Sequence, residues 1–507
     1  MKTTAPPPAA ACAGQTPPNG ICRRRRWAGA AVAGVVLLLA FGFQNRPLYG
    51  GDEGRYTAVA LELLRTRDPW RLQLSEGQPH LTKPPLLHAS IAAAVAAFGR
   101  REWAARLPNS LAYGLTAALL WRLARRLRFP RPWLAPLVYG TCALPFAAAS
   151  VITTDTLLAF WETAAVAAFA AARFDPRGGR GASCLPMWAA FGAAFLTKGP
   201  PALLPLAAVL LFEQLSGDRA GLRRILAAPG WLLFAAVGAG WYLLADRVHP
   251  GLLAFWLRHE VAARLTASRA LHGDEVSAVF TVSLATLLAG TLPWTWVLLR
   301  PAGRWLARAR RHGRRAWAEG DPAALFLLVW FALPAAVFFL LPNRQPLYLL
   351  PSCAPLALLP ARFLGRVRWR GWMFGALGLW CALLLSGRAL SVRLLPKPDH
   401  RRLAEAVARL APDATRLCFV DFRNPWFGLR WYRDLPVENV AWEPPPAPVF
   451  NGPQRSAPQA LAQSAGGTCF VVKAEDRERF DALAARQGRR LLARGVCHGA
   501  WLLLAAP

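Results

Sequence analysis

Apolar residues occur in blocks along this chain, and short polar segments rich in arginine separate the blocks. A helix that crosses a bilayer needs about 20 mostly apolar residues. Eleven blocks approach that length: 27–43, 107–124, 132–149, 156–173, 184–198, 201–214, 228–245, 277–299, 322–341, 346–361 and 372–390. The apolar stretch 84–98 is shorter. We expect it to lie in the membrane surface or to dip into the membrane without crossing.

The basic residues orient the chain in the membrane. The 507 residues carry a formal net charge of +32, and 55% of them are hydrophobic. The arginines lie mostly in alternate short loops, such as 22–26, 122–131 and 300–315, and such loops stay on the cytoplasmic side. The charge therefore does not indicate a nucleic-acid-binding protein. It predicts an α-helical polytopic membrane protein with about 11 to 13 crossings, a cytoplasmic N-terminus and an extracytoplasmic C-terminus.

The same pattern divides the chain into three parts. Residues 1–26 are predicted to be a disordered cytoplasmic segment, 27–390 a transmembrane domain, and 396–507 a small periplasmic α/β domain. In the last part, strands are predicted at 418–422, 468–472 and 496–505, and helices at 400–410, 424–433 and 475–488. Cys469 and Cys497 lie in strand-like runs, and an oxidising compartment would permit a disulfide between them.

The first loop, 44–106, holds two adjacent carboxylates at its membrane face. A helical pattern begins at Arg55, so Asp52 stands near the N-terminus of an amphipathic helix that we expect to lie on the bilayer. Two interpretations of Asp52 stay open, a catalytic carboxylate and a helix cap. Glu53 has either a catalytic role or a structural one.

Two basic residues in the same loop are candidates for phosphate binding. Lys83 precedes a pair of prolines that bend the chain, and it is one of only five lysines among the 60 basic residues. Its compact ammonium suits a phosphate oxygen, and the alternative is a lysine that reaches from the interface to water. Arg106 either pairs with a carboxylate, contacts a phosphate or anchors the next helix at the interface.

Six motifs follow one another between residues 45 and 355 in an order that is typical of one family. They are Asp-Glu-Gly-Arg-Tyr (52–56) with Lys-Pro-Pro-Leu (83–86) and Ala-Ala-Arg-Leu-Pro (104–108), Thr-Thr-Asp-Thr (153–156), Thr-Lys-Gly-Pro-Pro (197–201), the segment 255–265, Leu-Pro-Trp (292–294), and Asn-Arg-Gln-Pro-Leu-Tyr (343–348). Together they resemble the polyprenyl-phosphate-sugar-dependent glycosyltransferases of the GT-C fold. The resemblance is to the lipid A aminoarabinose transferases first, and more distantly to the protein O-mannosyltransferases.

The resemblance implies a donor sugar carried on undecaprenyl phosphate and an acceptor such as lipid A or another envelope component. It places the active site on the periplasmic side of the bacterial inner membrane and implies inversion at the anomeric carbon. The leaving phosphate takes up negative charge, which cations stabilise. The residues expected to contact the phosphate or to line the donor cavity are Lys83, Lys198, Arg264, Arg344, Tyr348 and Arg106.

The resemblance also implies roles for the carboxylates. Asp52 is expected to orient the acceptor and to take its proton when the acceptor is a hydroxyl. Asp155 is expected to orient Lys83 or to bind the sugar, and the alternative is a helix N-cap. The sequence departs from the family pattern at Thr82, Arg344 and Gln345, where acidic or amide residues, lysine and leucine respectively are frequent.

No cofactor is certain, although a divalent metal is one option. In the family the position of Thr82 can help to hold a metal, and threonine does not favour that role here. The loop 246–276 offers other ligands in a spacing that matches no standard metal motif. They are His249, His259, Glu260, His272, Asp274 and Glu275.

Two alternative functions stay open at this stage. The same chemistry could serve a protein hydroxyl or a growing polysaccharide as the acceptor. A transporter or flippase is the alternative from another class, and it usually places ionisable groups near the membrane midplane on broken helices. Here Asp52, Lys83, Asp155 and Arg344 map to one membrane face, which favours an enzyme.

Overall fold

The computed structural model describes residues 19–174, 183–262, 273–297, 321–340, 345–394, 399–444 and 446–506. The predicted apolar blocks fall on helices in these residues. The helices up to residue 394 are α1 (Asn19–Phe41), α2 (Gly50–Thr66), α3 (Leu86–Phe98), α4 (Glu102–Arg126), α5 (Leu134–Thr141), α6 (Ala143–Ala149), α7 (Thr154–Arg173), α8 (Leu185–Lys198), α9 (Leu204–Ser216), α10 (Arg219–Ile225), α11 (Ala228–Phe234), α12 (Gly240–Val248), α13 (Leu252–Phe255), α14 (Gly273–Gly290), α15 (Pro322–Leu340), α16 (Cys353–Leu364) and α17 (Gly371–Leu394).

Several of these helices have the length and composition of membrane spans. Within the described residues, four stretches are long and apolar enough to cross a membrane: Thr154–Arg173, Arg219–Val248, Pro322–Leu340 and Gly371–Ser391. Shorter apolar helices accompany them, and Leu86–Phe98 in the predicted non-crossing stretch is one of these. The total number of crossings stays a prediction.

The block 132–149 forms two helices with a break at Cys142, where the backbone is extended. A break inside an apolar bundle leaves carbonyl groups without helical partners. The Thr141 carbonyl accepts a hydrogen bond from Trp380 Nε1 at 2.8 Å, and the Thr141 hydroxyl accepts one from Trp294 Nε1 at 2.8 Å. Two indole N–H groups therefore provide hydrogen bonds to polar groups at the break, as the bilayer interior requires.

Two helices of the membrane part begin beside the first loop and pack against each other. They are α4 and α7, and α7 also packs along α8. The inner face of α7 is rich in alanine, including Ala159, Ala165 and Ala170, all of which are buried. Small side chains let helices approach closely where no water drives them together. This contact fixes the spacing of the two loops that precede α4 and α7.

The first loop folds as α2, a short hairpin and α3. The hairpin pairs β1 (Gln73–Ser75) with β2 (Gln78–Pro79) in an antiparallel arrangement. Helix α2 lies between α3 and the C-terminal part: Ala60 shares a core with Leu87 of α3, and Val59 shares one with Leu403 and Trp426. The predicted helix is present, but the sequence did not indicate that the C-terminal part packs over it.

The C-terminal part contains a five-stranded sheet in the order β4-β3-β5-β7-β6. Strands β4, β3 and β5 are parallel, and β7 and β6 are antiparallel neighbours. Helices flank the sheet, as expected for parallel strands. The elements are α18 (His400–Leu410), β3 (Arg416–Val420), α19 (Leu429–Tyr432), β4 (Val437–Val440), α20 (Ala457–Ala462), β5 (Thr468–Lys473), α21 (Arg477–Arg486), β6 (Leu491–Cys497) and β7 (Ala500–Ala505).

One predicted strand is a hairpin. The run 496–505 was expected to be a single strand, but it contains the end of β6, a two-residue turn and β7. The turn residues His498 and Gly499 both have positive φ, 50° and 77°, as the tight turn of a β-hairpin requires. The sequence prediction also missed β4 and α20.

The expected disulfide between Cys469 and Cys497 is wrong, since both thiols are free. Cys469 pairs with Leu504 of β7, whereas Cys497 pairs with Ala500 at the opposite end of that strand. Four residues of strand separate the two levels, which is about 13 Å. A disulfide requires Cα atoms within about 7 Å.

The sheet domain is anchored on the first loop by polar contacts. Arg430 Nη2 lies 2.9 Å from Glu62 Oε2, and the Glu62 side chain is 1% exposed. The Leu48 N–H donates to the Tyr432 hydroxyl at 3.0 Å. A Cβ at Gly54 would lie only 2.7 Å from the backbone nitrogen of Gly428. Glycine at position 54 thus lets the domain approach α2 closely.

Candidate active site

The start of α2 is fixed by a buried carboxylate, Glu53. Its oxygens accept hydrogen bonds from Arg46 Nη2 at 2.9 Å and from Arg106 Nη2 at 2.8 Å. They also accept from the backbone N–H of Tyr49 at 2.9 Å and of Ile152 at 3.2 Å. One side chain therefore joins the segment after α1, the start of α2, α4 and the loop before α7.

Arg106 uses all of its hydrogen-bonding capacity within this cluster. An arginine has five N–H groups. Two reach Glu53, at 2.8 and 3.3 Å. The other three reach the carbonyls of Gln44, Arg46 and Pro47 at 2.7–3.0 Å. The side chain is fully buried. Of the roles predicted for Arg106, this geometry favours the carboxylate partner.

One carboxylate compensates part of the charge of two guanidinium groups in this cluster. Burial acts to raise the pKa of Glu53, but the guanidinium groups of Arg106 and Arg46 outweigh it and lower that pKa to about 2. Glu53 is therefore ionised at neutral pH. A buried ion pair that is fully hydrogen-bonded holds its partners in one arrangement, and removal of one member leaves an uncompensated charge.

Asp52, the residue before Glu53, faces solvent. Successive helix residues are about 100° apart, so a neighbour of a buried residue can face solvent. The Asp52 side chain is 51% exposed and forms an ion pair with Arg55. The N-cap position of α2 is occupied by Tyr49, so the alternative of Asp52 as the helix cap is not supported. Asp52 is an accessible carboxylate on a fixed backbone.

The second predicted carboxylate, Asp155, is in the first turn of α7. Thr153 holds the N-cap position, and its hydroxyl donates to Asp155 Oδ2 at 2.8 Å. Lys198, at the end of α8, forms an ion pair with Asp155, and both side chains are 7% exposed. Lys198 Nζ also lies 4.5 Å from the centre of the Tyr348 ring. The structure thus brings together three residues that the sequence placed in the site.

Three aromatic rings, of Tyr56, His80 and His88, form a buried cluster near these groups. The ring centre of Tyr56 lies 5.3 Å from that of His88 and 6.3 Å from that of His80. Burial raises the pKa of Tyr56, and the charges of Asp52 and Asp155 add to that shift. Since both carboxylates influence the same phenol, Tyr56 lies near both of them.

The two histidines of the cluster are neutral at neutral pH. Burial lowers the pKa of His88 to about 4. A hydrogen bond with the backbone of Tyr56 acts to raise this pKa, and the charge of Lys83 acts to lower it further. Burial also lowers the pKa of His80, and the charges of Arg55 and Lys83 contribute. His80 Nδ1 lies 3.0 Å from Asn451 Oδ1 of the sheet domain. The cluster is therefore a group of uncharged side chains close to the cations of Arg55 and Lys83.

Lys83 is in the bend between β2 and α3 and is half-buried. The bend is held from both sides: the Leu81 carbonyl accepts from Trp256 Nε1 at 2.6 Å, and its N–H donates to the Phe450 carbonyl at 3.0 Å. Two predicted phosphate ligands, Arg264 and Arg344, lie outside the described residues.

Sequence reasoning missed several residues at this site. Arg55, His80 and His88 were not singled out, because their proximity to Asp52 and Lys83 depends on how the loop folds. Glu162 was also missed. It is 3% exposed on α7, and one of its oxygens has no hydrogen-bond partner. Its signal in the sequence is an acidic residue inside an apolar span, which commonly marks a functional position.

The potential metal ligands are not brought together in the described part of the chain. There, no three His, Cys, Asp or Glu side chains form a group that could hold a metal ion. His249 Nε2 lies 3.2 Å from the Trp70 carbonyl, and His259 is exposed. His272 lies outside the described residues, so the predicted metal option stays untested.

Comparison with solved structures identifies the fold. ArnT from Cupriavidus metallidurans bound to undecaprenyl phosphate matches with a TM-score of 0.71 at 20% identity, over 96% of this chain and 98% of that one. The chain has the GT-C fold. An oligosaccharyltransferase from Archaeoglobus fulgidus matches with a TM-score of 0.54 at 12% identity, over 92% of this chain and 69% of that one.

Sequence comparisons agree with this GT-C assignment. The family model of the dolichyl-phosphate-mannose-protein mannosyltransferases matches residues 82–242. An undecaprenyl phosphate-alpha-4-amino-4-deoxy-L-arabinose arabinosyl transferase of Sodalis glossinidius is 31% identical, over 63% of this chain and 57% of that protein. One from Aeromonas salmonicida is 28% identical, over 72% of this chain and 67% of that protein.

These findings confirm the resemblance and the helical membrane fold with a small C-terminal sheet domain that the sequence predicted. The apolar helices and the relatives indicate a multi-pass bacterial membrane protein. The match with the Sodalis relative spans only 57% of that protein's length. The roles of individual residues stay predictions.

Neutralising Glu53 should lower the stability of the protein much more than neutralising Asp52. We expect Glu53→Gln to leave two buried guanidinium groups without a counter-charge and to destabilise the protein by about 3–5 kcal/mol. Asp52→Asn removes only an exposed ion pair, which is worth about 0–1 kcal/mol. Thermal unfolding in detergent measures both. Equal unfolding temperatures for the two variants would contradict the assigned environments.

His88 should make stability depend on pH. Its pKa is about 4 in the folded protein and about 6.5 when unfolded. The unfolded state therefore binds the proton first as the pH falls from 6.5 to 4, and stability drops by about 3 kcal/mol over that range. His88→Gln should lose part of this drop in unfolding experiments at pH 7 and pH 5. The exposed-residue control His498→Asn should retain it, and an unchanged drop in His88→Gln would argue against the buried neutral imidazole.

Proposed function

We propose that this protein transfers a sugar from an undecaprenyl-phosphate donor to lipid A or another envelope acceptor, at the periplasmic face of the bacterial inner membrane and with inversion. The observation that carries the proposal is that two carboxylates, Asp52 and Asp155, lie near Tyr56. Asp52 is accessible beside Arg55, and Asp155 is held by Lys198. The names of the matched relatives supply the donor class.

Asp52 is the proposed catalytic carboxylate. It is exposed, it stands on the first turn of α2, and the buried Glu53 cluster fixes that turn. When the acceptor is a hydroxyl, Asp52 takes its proton as the new glycosidic bond forms. When the acceptor is a phosphate that is already ionised, Asp52 orients it and stabilises positive charge at the anomeric carbon. Glu53 acts as a positioning residue.

The donor phosphate needs positive charge as it leaves. We assign Lys83 as its main partner, with Lys198 and Arg55 nearby. Lys198 is already paired with Asp155, so Asp155 orients the ammonium in this proposal, and Tyr348 packs against it. Arg264 and Arg344 keep their predicted phosphate-binding roles. Arg106 contributes by holding α2, since its N–H groups are occupied.

A protein hydroxyl is the second candidate acceptor. The match of residues 82–242 to the protein mannosyltransferase family model favours it. Both acceptors would use the same donor-side residues. They differ in how much they need a base, because a hydroxyl must lose a proton and a phosphate does not. The dependence of activity on Asp52 therefore helps to separate the two.

A transfer assay tests the proposal. The purified protein in nanodiscs receives undecaprenyl-phosphate-linked sugars with lipid A or a protein acceptor, and mass spectrometry detects the product. We expect Lys83→Ala to reduce transfer at least about 100-fold with either acceptor. Asp52→Asn should reduce it at least about 100-fold with a hydroxyl acceptor and less with a phosphate acceptor. The matched controls are Asp434→Asn, an 81% exposed carboxylate paired with Arg100, and Lys473→Ala in the sheet domain. Both should keep full activity.

Transfer that survives both site substitutions would overturn the assigned roles. No transfer with any donor, together with donor movement across the bilayer, would replace the enzyme by a flippase. The same assay after treatment with a chelator decides the metal option. A loss of activity that Mg²⁺ or Mn²⁺ restores would support a metal cofactor.

A further inference from the structure

A cavity lies at the opposite end of the helical bundle from the candidate active site. It has a volume of about 630 Å³ and lies between the C-terminal halves of α4 and α7. This size is within the range of small-molecule sites in proteins. It lies away from the Asp52 and Asp155 groups, and none of the residues in those groups lines it.

The two helices place the cavity at the other membrane boundary. Both begin at the active-site face, where Arg106 of α4 bonds Glu53 and Asp155 of α7 bonds Lys198. From Arg106 to Arg125, α4 rises about 29 Å at 1.5 Å per residue. That distance matches the hydrocarbon thickness of a bilayer, about 30 Å. The cavity therefore opens at the headgroup level of the opposite leaflet.

The cavity has one apolar wall and one basic rim. On α7 the wall consists of alanines at positions 164, 167, 168 and 171. Their spacing places them on one helix face, where small side chains leave room for an alkyl chain. The rim consists of arginines at the end of α4 and just after it: Arg122, Arg125, Arg126 and Arg128. The lining therefore has an apolar part that suits an acyl chain and a basic part that suits the phosphate of a phospholipid.

Three arginines of the rim, Arg122, Arg125 and Arg128, have no carboxylate partner within the described part of the chain. Arg122 and Arg128 are exposed, and Arg125 lies 5.8 Å from the centre of the Trp121 ring. Like charges three or four residues apart on a helix repel each other. An anion held between them would remove that repulsion.

We propose that this cavity binds one anionic phospholipid of the cytoplasmic leaflet. Its phosphate lies among the guanidinium groups of Arg122, Arg125 and Arg128, which can each donate two parallel hydrogen bonds to phosphate oxygens. One acyl chain lies along the alanine face of α7. Basic pockets between membrane helices on the cytoplasmic side suit anionic headgroups. The site is independent of the transfer reaction.

Lipid titration measured by native mass spectrometry tests this proposal. Delipidated protein in detergent receives phosphatidylglycerol or, as the zwitterionic comparison, phosphatidylcholine. Wild type should retain one phosphatidylglycerol in preference to phosphatidylcholine. The triple variant Arg122→Gln/Arg125→Gln/Arg128→Gln should bind it about 100-fold more weakly, because each arginine near an anionic lipid contributes roughly a fivefold factor.

A matched control keeps the result specific to the cavity. Arg366, Arg368 and Arg370 are exposed on the neighbouring loop, whose Val367 carbonyl accepts a hydrogen bond from Arg131 at 3.0 Å. Their triple change to glutamine removes the same charge and should leave lipid binding intact. Ala167→Leu keeps every charge and fills the apolar wall, so it should also weaken retention.

Three results would overturn the proposal. The first is equal retention of the two lipids by wild type. The second is equal loss of binding in the cavity and control triple variants, which would indicate a general effect of charge. The third is displacement of the lipid by millimolar inorganic phosphate, which would indicate a site for a free anion. Unfolding temperatures of all variants, measured in the same detergent, identify any variant that fails to fold.

Discussion

The buried ion pairs of Glu53 with Arg46 and Arg106 are the constraint on which the candidate site depends. Together with a hydrogen bond from the Ile152 N–H, they connect the segment after α1, the start of α2, α4 and the loop before α7 through one carboxylate. Asp52 stands on the first turn of α2, and Asp155 stands on the first turn of α7, directly after the loop that Glu53 holds. A shift of this carboxylate would move Asp52 and the Asp155 loop relative to each other.

The neighbouring position shows how one helix turn separates two functions. Glu53 faces the bundle, where opposite charges and backbone N–H groups stabilise its ionised form. Asp52 faces outward and keeps a carboxylate available to an acceptor. The neutral, buried rings of Tyr56, His80 and His88 form a cluster, and Tyr56 lies near both carboxylates. Buried side chains of this kind lower the local dielectric constant, which strengthens electrostatic interactions beside them. The sheet domain completes this arrangement by covering α2 and contacting His80 through Asn451.

Local patterns predicted much of the fold. Apolar blocks indicated the helices, since burial in lipid demands long apolar runs, and the change in pattern near residue 396 indicated the sheet domain. The prediction failed where one block or run contained two elements. Cys142 interrupts the block 132–149, and the turn at His498 and Gly499 divides the run 496–505. The disulfide failed because strand order and register, which are long-range properties, separate Cys469 from Cys497.

The site was predictable to a similar degree. Its motifs indicated Asp52, Lys83, Asp155, Lys198 and Tyr348, and the structure brings Asp155, Lys198 and Tyr348 into contact. The roles of Glu53 and Arg106 could not be separated from those of their neighbours, because their partners come from distant segments. His80 and His88 carried no signal, since isolated histidines in a loop have no characteristic spacing.

The most direct measurement is the position of the phosphate of undecaprenyl phosphate in an experimental density map of the protein in nanodiscs. We expect the phosphate within about 4 Å of Lys83 Nζ, the range of an ion pair, on the side of the Tyr56 cluster that faces Lys198. Asp52 should remain open to a second substrate beside it. A phosphate bound elsewhere in the bundle, with Lys83 and Lys198 unengaged, would contradict the central claim.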